Sequence, residues 1–190
     1  MKKFPFFFLL VAIIILLSST AFLSFRYSEE KQANQRHWEV FVNHFYFSLD
    51  KTINYFDRLI TEQPQADELD ILASQLQVQL LLTDQLLADG RYFHNDEILT
   101  TTFFKELTDI VSGINSDSIT TKALSEDNML DENEIALLEN VRNILTNARE
   151  KMYSSETEQE KNDLSVKELN EIISQHFRYS SIEIYSQTPK

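Results

Sequence analysis

The chain of 190 residues contains no cysteine, two glycines and three prolines. Without cysteine it has no disulfide, no thiolate metal ligand, no thiol nucleophile and no lipid-modified cysteine. Two isolated glycines exclude a phosphate loop, a dinucleotide-binding glycine fingerprint and a Gly-x-Ser-x-Gly elbow, since each needs several glycines close together. We therefore expect no catalysis, no cofactor and no metal. An unfamiliar envelope hydrolase is the least favoured interpretation, because no nucleophile-base pair is evident.

Basic residues are also scarce. Setting Lys2 and Lys3 apart from the 17 lysines and arginines leaves 15 basic residues against 30 acidic ones, a net charge of −15 with histidine neutral. A phosphate backbone or an anionic headgroup surface would be repelled by this excess of carboxylates. The composition therefore predicts no nucleic-acid partner, and it favours a soluble, acidic domain.

One long apolar run is present near the N-terminus. Residues 4–25, FPFFFLLVAIIILLSSTAFLSF, carry no charge. As a helix they would span about 33 Å, against a hydrocarbon core of about 30 Å. Lys2 and Lys3 precede the run, so the positive-inside bias predicts that residues 1–3 are cytoplasmic and that the remaining chain is extracytoplasmic. We expect a single-pass signal-anchor helix in the cell membrane of a bacterium, in contact with the bilayer through residues 4–25.

Cleavage of this segment is the competing interpretation. Ser19-Thr20-Ala21 offers the small residues that a signal peptidase prefers. The apolar run continues through Phe22 and Phe25, however, and exceeds the apolar core of an ordinary signal peptide, which favours an uncleaved anchor. If the segment is cleaved, the product is a secreted helical binding protein.

The spacing of apolar residues predicts an all-α fold. Pro64, Gly90 and Gly113 fall where periodic apolar segments stop, as expected of long helices joined by short turns. Apolar seams with three- and four-residue spacing, typical of coiled-coil-like packing, run along each segment. We expect the membrane helix to continue to about Glu62 and to be followed by three further helices: about 67–88, 96–112 and 131–153. The extracytoplasmic part of the first helix and the three later helices predict an extracytoplasmic antiparallel four-helix bundle over residues 29–153.

Two segments follow the bundle. Residues 154–163, SSETEQEKND, lack apolar side chains and predict an acidic polar linker. Residues 164–190 predict a short C-terminal helix and a tail. Ser165 and Glu168 have the spacing of a capping box, as Asp131 and Glu134 do for the fourth helix. The alternation of Ile182 and Ile184 allows a short extended arm in the tail.

Candidate contact residues come from two aromatic groups. Phe45, Tyr46 and Phe47 are consecutive and span about 200° of a helix, so at least one should face away from the core and could contact a protein partner. Arg91 and Tyr92 lie at the expected turn between the second and third helices, at the membrane-proximal end, where they could touch headgroups.

Two possible cation sites are disfavoured. His37 and His44 share a heptad position but lie about 10 Å apart along a helix, which is too far for one ion. Asp127, Asp131 and Glu134 lack the residue order and the turning glycine of a calcium-binding loop, so a helix-capping turn is the preferred interpretation.

These features indicate a membrane-anchored protein that acts by protein–protein contact as an accessory, scaffold or assembly factor. Its expected partner is another membrane or envelope protein, and its oligomeric state is left open. The layout resembles in outline the membrane-anchored four-helix sensor domains of bacterial receptors, but without a second membrane span or a cytoplasmic signalling module. The alternative function is therefore a ligand-sensing bundle that signals through a membrane partner.

Overall fold

The computed structural model of the protein describes residues 4–93, 97–114, 119–161 and 163–188. These residues are mostly helical. Within the described ranges they form six helices and one two-stranded sheet: α1 (Phe4–Glu62), α2 (Asp67–Phe93), α3 (Phe103–Ser112), α4 (Glu132–Met152), β1 (Tyr153–Ser154), β2 (Gln159–Glu160), α5 (Val166–His176) and α6 (Ser181–Gln187).

The chain divides into two compact units, Met1–Val40 and Phe41–Lys190. The described part of the first unit is helical throughout and belongs to α1. Its apolar stretch near the N-terminus is long and apolar enough to cross a membrane once, and none of that stretch is buried. A signal sequence meets the same criterion of length and composition.

In the second unit, cross-helix contacts fix the direction of neighbouring helices. Ser48 of α1 bonds Thr83 of α2, 35 residues later, and Phe41 packs at Gly90, so the two helices run antiparallel. Side chains of α2 and α3 also meet in reverse order, because Gln77 Nε2 donates to Ser112 Oγ at 2.6 Å and Asp84 lies near Lys105. α1 and α4 are likewise antiparallel.

Two ion pairs join α1 to α4 in that reversed order. Arg142 Nη1 lies 3.4 Å from Asp57 Oδ1, and Arg149, two helical turns further along α4, pairs with Asp50. The guanidinium of Arg149 also lies over the ring of Tyr46, at 5.9 Å from the ring centroid.

The seams expected from the sequence form the core. Phe45, Leu49, Phe56 and Leu59 of α1 are buried, and so are the corresponding apolar residues of the other three helices: Leu69, Leu72, Leu76, Leu80 and Leu87 in α2, Leu107, Ile110 and Val111 in α3, and Leu138, Val141, Leu145, Ala148 and Met152 in α4. The buried side chains of Ser48's partners, Thr52, Gln79 and Thr83, form a hydrogen-bonded polar layer within this core.

The predicted caps are present at two helix starts. Asp131 accepts from Glu134 N at 2.8 Å while Glu134 Oε2 accepts from Asp131 N, and Ser165 and Glu168 make the same reciprocal pair. Each pair satisfies two backbone N–H groups that the helix itself leaves without acceptors.

The expected third helix is too long at its start. The prediction began at 96, but 97–102 are non-helical and α3 begins at Phe103. Asn170 of α5 holds this segment in place, because its Oδ1 accepts from Leu99 N and its Nδ2 donates to Glu97 O, both at 2.8 Å. Thr101 Oγ1 then accepts from Phe103 N at 3.0 Å and marks the helix start.

Three further expectations are corrected. Residues 154–163 include a hairpin of β1 and β2 in place of a simple linker, and Glu160 in it is buried and accepts from Asn43 Nδ2 at 2.7 Å. The tail is helical rather than extended, since Ser180 and Glu183 form a third capping box for α6. Gly90 lies within α2, which continues to Phe93 and so does not end at about 88 as expected.

The last helix, α6, lies against two earlier helices. It packs against α3 and α4, and Ile184 is buried there. Glu106 Oε2 of α3 accepts from the backbone N and the hydroxyl of Ser181, at 3.0 and 2.8 Å. α5 packs on α4.

Candidate interaction surface

The three consecutive aromatic residues of α1 have different environments. Phe45 is fully buried, with its ring edge-on to the rings of Phe104 and Phe177 at centroid distances of 6.2 and 6.3 Å. Tyr46 is buried beneath Arg149. Only Phe47, 46% exposed, is open to solvent. The expectation that Phe45 and Tyr46 contact a partner is therefore wrong. Both are core residues, because they lie on the sides of α1 that are directed at α3 and α4.

Arg91 and Tyr92 lie in the last turn of α2 rather than in the loop after it. Tyr92 is 79% exposed and Arg91 is half-buried. Both line a cavity of about 260 Å³, together with Asp84 and residues of the 97–102 segment. Burial raises the pKa of Asp84, and the nearby Lys105 opposes that shift. Contact of Arg91 and Tyr92 with headgroups stays a prediction.

The disfavoured cation sites have ordinary structural environments. His37 and His44 are both exposed. Asp127 is paired with Lys122 Nζ at 2.8 Å, and Asp131 and Glu134 are occupied with each other at the start of α4. Among the described residues, no group of three or more histidine, aspartate or glutamate side chains is arranged to hold a metal.

The largest unexpected feature is an exposed apolar face on α2. Ile71, Val78 and Leu82 are 58%, 58% and 56% exposed, and their spacing of seven and four residues places them on one side of the helix. Leu81 and Phe93 are also exposed and flank the same side. We call the set Ile71, Val78, Leu81, Leu82 and Phe93 the α2 face.

This face lies opposite the seam that α2 buries in the core. Leu81 and Leu82 directly follow the buried Leu80 in the sequence, but both are exposed. α2 therefore has apolar residues on two sides, whereas a surface helix that only covers a core is polar on its outer side. The sequence indicates this second apolar side only by its composition, because α2 contains more leucine, isoleucine and valine than one buried stripe requires.

Polar residues on the same side are neutral in the middle and acidic at both ends. Gln75 and Gln85 are exposed between the apolar residues, and Gln85 Nε2 donates to Asp89 Oδ1 at 2.7 Å. Asp67 and Glu68 are exposed at the start of the helix, and Asp89 near its end. Carboxylates thus lie on both sides of the apolar residues Ile71, Val78 and Leu82, and Phe93 follows Asp89 at the end of α2.

A separate polar cavity lies between α3, α4 and α6. Its volume is about 180 Å³, and its lining includes Ile110, Glu134, Tyr185 and the Lys122–Asp127 ion pair. Burial raises the pKa of Glu134, although its hydrogen bond from Asp131 N acts in the opposite direction. This cavity is small for a metabolite, but its lining includes positively and negatively charged side chains.

Comparison of the chain with protein-family models, with curated proteins and with solved structures found no match.

Proposed function

We propose that the protein is a single-pass membrane protein with an extracytoplasmic, antiparallel four-helix bundle, extended by short C-terminal helices. We propose further that it acts by contact with another membrane or envelope protein, as an accessory, scaffold or assembly factor. The uncharged run of residues 4–25, preceded by Lys2 and Lys3, supports the membrane anchor and its orientation. The reversed order of the contacts along α1, α2, α3 and α4 supports the bundle.

The α2 face is the observation that carries the contact function. Exposed apolar side chains are common one by one, but several on one side of a helix forfeit the free energy of burial, about 25 cal/mol for each Å² left in water. A partner that covers the α2 face would recover that free energy. Ile71, Val78 and Leu82 are therefore the residues that we assign to partner contact, in place of Phe45 and Tyr46.

Site-specific photocrosslinking in native membranes tests this function. A photoreactive phenylalanine analogue at Val78 should give one discrete crosslinked species, and the Leu82→Gln variant should reduce it because the strip is interrupted. The same analogue at Asn147, exposed on α4, is the matched control and should give none. Equal crosslinking at the two positions would contradict a specific contact through α2.

The membrane anchor is tested separately. The intact mass of the membrane-bound chain should include residues 4–25, and extraction with carbonate should leave the chain in the membrane fraction. Recovery of only a shortened chain in the medium would support the secreted alternative, in which partner contact occurs away from the membrane.

Ligand sensing is the second candidate, and the polar cavity between α3, α4 and α6 favours it. A small ligand that carries one positive and one negative charge could pair with Glu134 and Lys122, which both line the cavity. A thermal-shift screen of amino acids, small carboxylates and divalent cations should then raise the unfolding temperature of the full chain, and Lys122→Gln should abolish the shift. No shift with any compound would leave protein contact as the single candidate.

A further inference from the structure

We infer that the partner segment covering the α2 face is a cationic amphipathic helix: an apolar stripe with lysine or arginine near both ends. The inference rests on the proposed function, because it names the chemistry of the partner at the same surface. It follows from the shape of the strip, from the charges at its ends and from the poor fit of the other candidate occupants.

The shape of the strip fits a helix. Ile71, Val78 and Leu82 extend about 16 Å along the axis of α2, and Phe93 extends the strip to about 33 Å, at a rise of about 1.5 Å per residue. Their seven- and four-residue spacing is the repeat with which one helix packs along another. A partner helix of about six turns would reach from Asp67 to Asp89 and would cover Ile71, Val78 and Leu82.

The charges at the ends select a basic partner. Asp67 and Glu68 lie at one end and Asp89 near the other, and Arg91 is the sole basic residue in the sequence of α2. The whole chain after residue 25 has twice as many acidic as basic residues, so the long-range field around the strip is also negative. Lysine or arginine at the ends of the partner helix would be attracted before contact and would pair with these carboxylates after it.

A second copy of the chain fits less well. In an antiparallel pair centred on Val78, Asp67 would lie opposite Asp89 of the other copy. In a parallel pair, each carboxylate would lie opposite its own counterpart. Both arrangements place like charges together at the rim, which disfavours association. An anionic lipid surface would be repelled by the same carboxylates.

Binding of two designed peptides to the full chain in nanodiscs of zwitterionic lipid tests the inference. The peptides are helices of about 22 residues with identical leucine and alanine positions, and they differ only in carrying lysine or glutamate at both ends. Fluorescence anisotropy should show that the lysine peptide binds at least about tenfold more tightly than the glutamate peptide. Its affinity should fall as the salt concentration rises.

Two variants and a matched control locate the binding. Leu82→Gln, and the triple variant Asp67→Asn, Glu68→Gln and Asp89→Asn, should each weaken the lysine peptide about tenfold. The control triple variant, Glu132→Gln, Glu139→Gln and Glu150→Gln, removes the same number of charges from exposed positions of α4. It should retain the affinity within about a factor of two. Circular dichroism of each variant should show the helix content of the unchanged chain.

Several results would overturn the inference. Equal affinity for the two peptides, or equal weakening by the two triple variants, would show that the ends of the α2 face do not select charge. A concentration-dependent dimer that Leu82→Gln abolishes would assign the face to a second copy, and tighter binding to anionic vesicles would assign it to lipid. A discrete crosslink at Val78 combined with no binding of the lysine peptide would overturn the cationic partner and leave the proposed function in place. Loss of both would overturn both.

Discussion

A Cβ atom at position 90 would lie 2.1 Å from Cε2 of Phe41, so only glycine leaves room for the Phe41 ring in its present position between α1 and α2. Gly90 is buried within α2, and the ring of Phe41 occupies the space that a side chain would need. The glycine is thus required by the contact between two helices, even though glycine is unfavourable inside either of them.

Gly90→Ala should lower the free energy of unfolding by about 1–3 kcal/mol, because the aromatic ring must move out of a packed position. Helix propensity alone would give the opposite sign, a gain of about 1 kcal/mol. Urea unfolding of the full chain in detergent, followed by circular dichroism, measures the change. Ala88→Gly, at an exposed position of the same helix, is the control and should cost about 1 kcal/mol. A stabilised Gly90→Ala variant would contradict the close approach.

Thr83→Val should lower the free energy of unfolding by about 1–3 kcal/mol, because it removes a hydroxyl from a buried network. Thr83 Oγ1 lies 2.7 Å from Ser48 Oγ and 3.2 Å from Thr52 Oγ1, and it also bonds Gln79. Valine keeps the shape but leaves these groups short of a partner. Thr61→Val, which removes an exposed hydroxyl, should change the stability by less than about 0.5 kcal/mol. Equal effects at the two sites would argue against the network.

Leu80→Ala and Leu82→Ala should differ sharply although they lie two residues apart. Leu80 is fully buried in the core, and its truncation should cost about 2–5 kcal/mol. Leu82 belongs to the exposed α2 face, and its truncation should cost less than about 0.5 kcal/mol in the free protein. The same urea experiment measures both. A large loss for Leu82→Ala would mean that the face is covered within the protein itself, which would remove the surface proposed for the partner.

Stability should fall as the pH is lowered below about 6.5. Burial, assisted by Lys151, lowers the pKa of His176 below its ordinary value of 6.5. Between these two pKa values the unfolded chain binds the proton and the folded chain does not, so acidification favours unfolding. Urea unfolding between pH 8 and pH 5 should show the decline, and His176→Leu should flatten it.

Glu168 and Glu183 should contribute a second decline below about pH 4.5 that persists in His176→Leu, in opposition to the gain from Asp84 and Glu134, whose pKa values are raised. Hydrogen bonds from Ser165 and Ser180 lower the pKa values of Glu168 and Glu183 below the ordinary 4.5. The stability that these carboxylates contribute is present above that pH and is lost as they protonate. An unchanged pH profile between 8 and 5 in His176→Leu would contradict the role of His176.

Local features of the sequence predicted most of the helices and their buried sides. Leucine spacing identified the seam of α2, and the pairs Asp131–Glu134 and Ser165–Glu168 marked two helix starts because a capping box is complete within four residues. Ser180–Glu183 has the same form and starts α6, whereas the alternation of Ile182 and Ile184 predicted only an extended arm.

Features that depend on distant contacts could not be read from local pattern. The start of α3 is determined by Asn170, about 70 residues away, and the hairpin is held to α1 through Glu160 and Asn43, which are 117 residues apart. Periodicity identified the buried stripe of α2, but it could not show that Ile71, Val78 and Leu82 would stay exposed. Their exposure depends on which sides of α2 meet α1 and α3, and local pattern does not contain that information.

The ring of Phe177 lies against Phe45, Phe103 and Phe104, and these four side chains form the centre of the core. Phe45 and Phe177 are separated by most of the second unit along the chain, so the core remains incomplete during synthesis until Phe177 has emerged. Contacts between such distant residues also slow folding, because a long loop must close before they form. Until then the leucine-rich seams of the earlier helices remain exposed, so the second unit cannot complete its core before its last helices have been made.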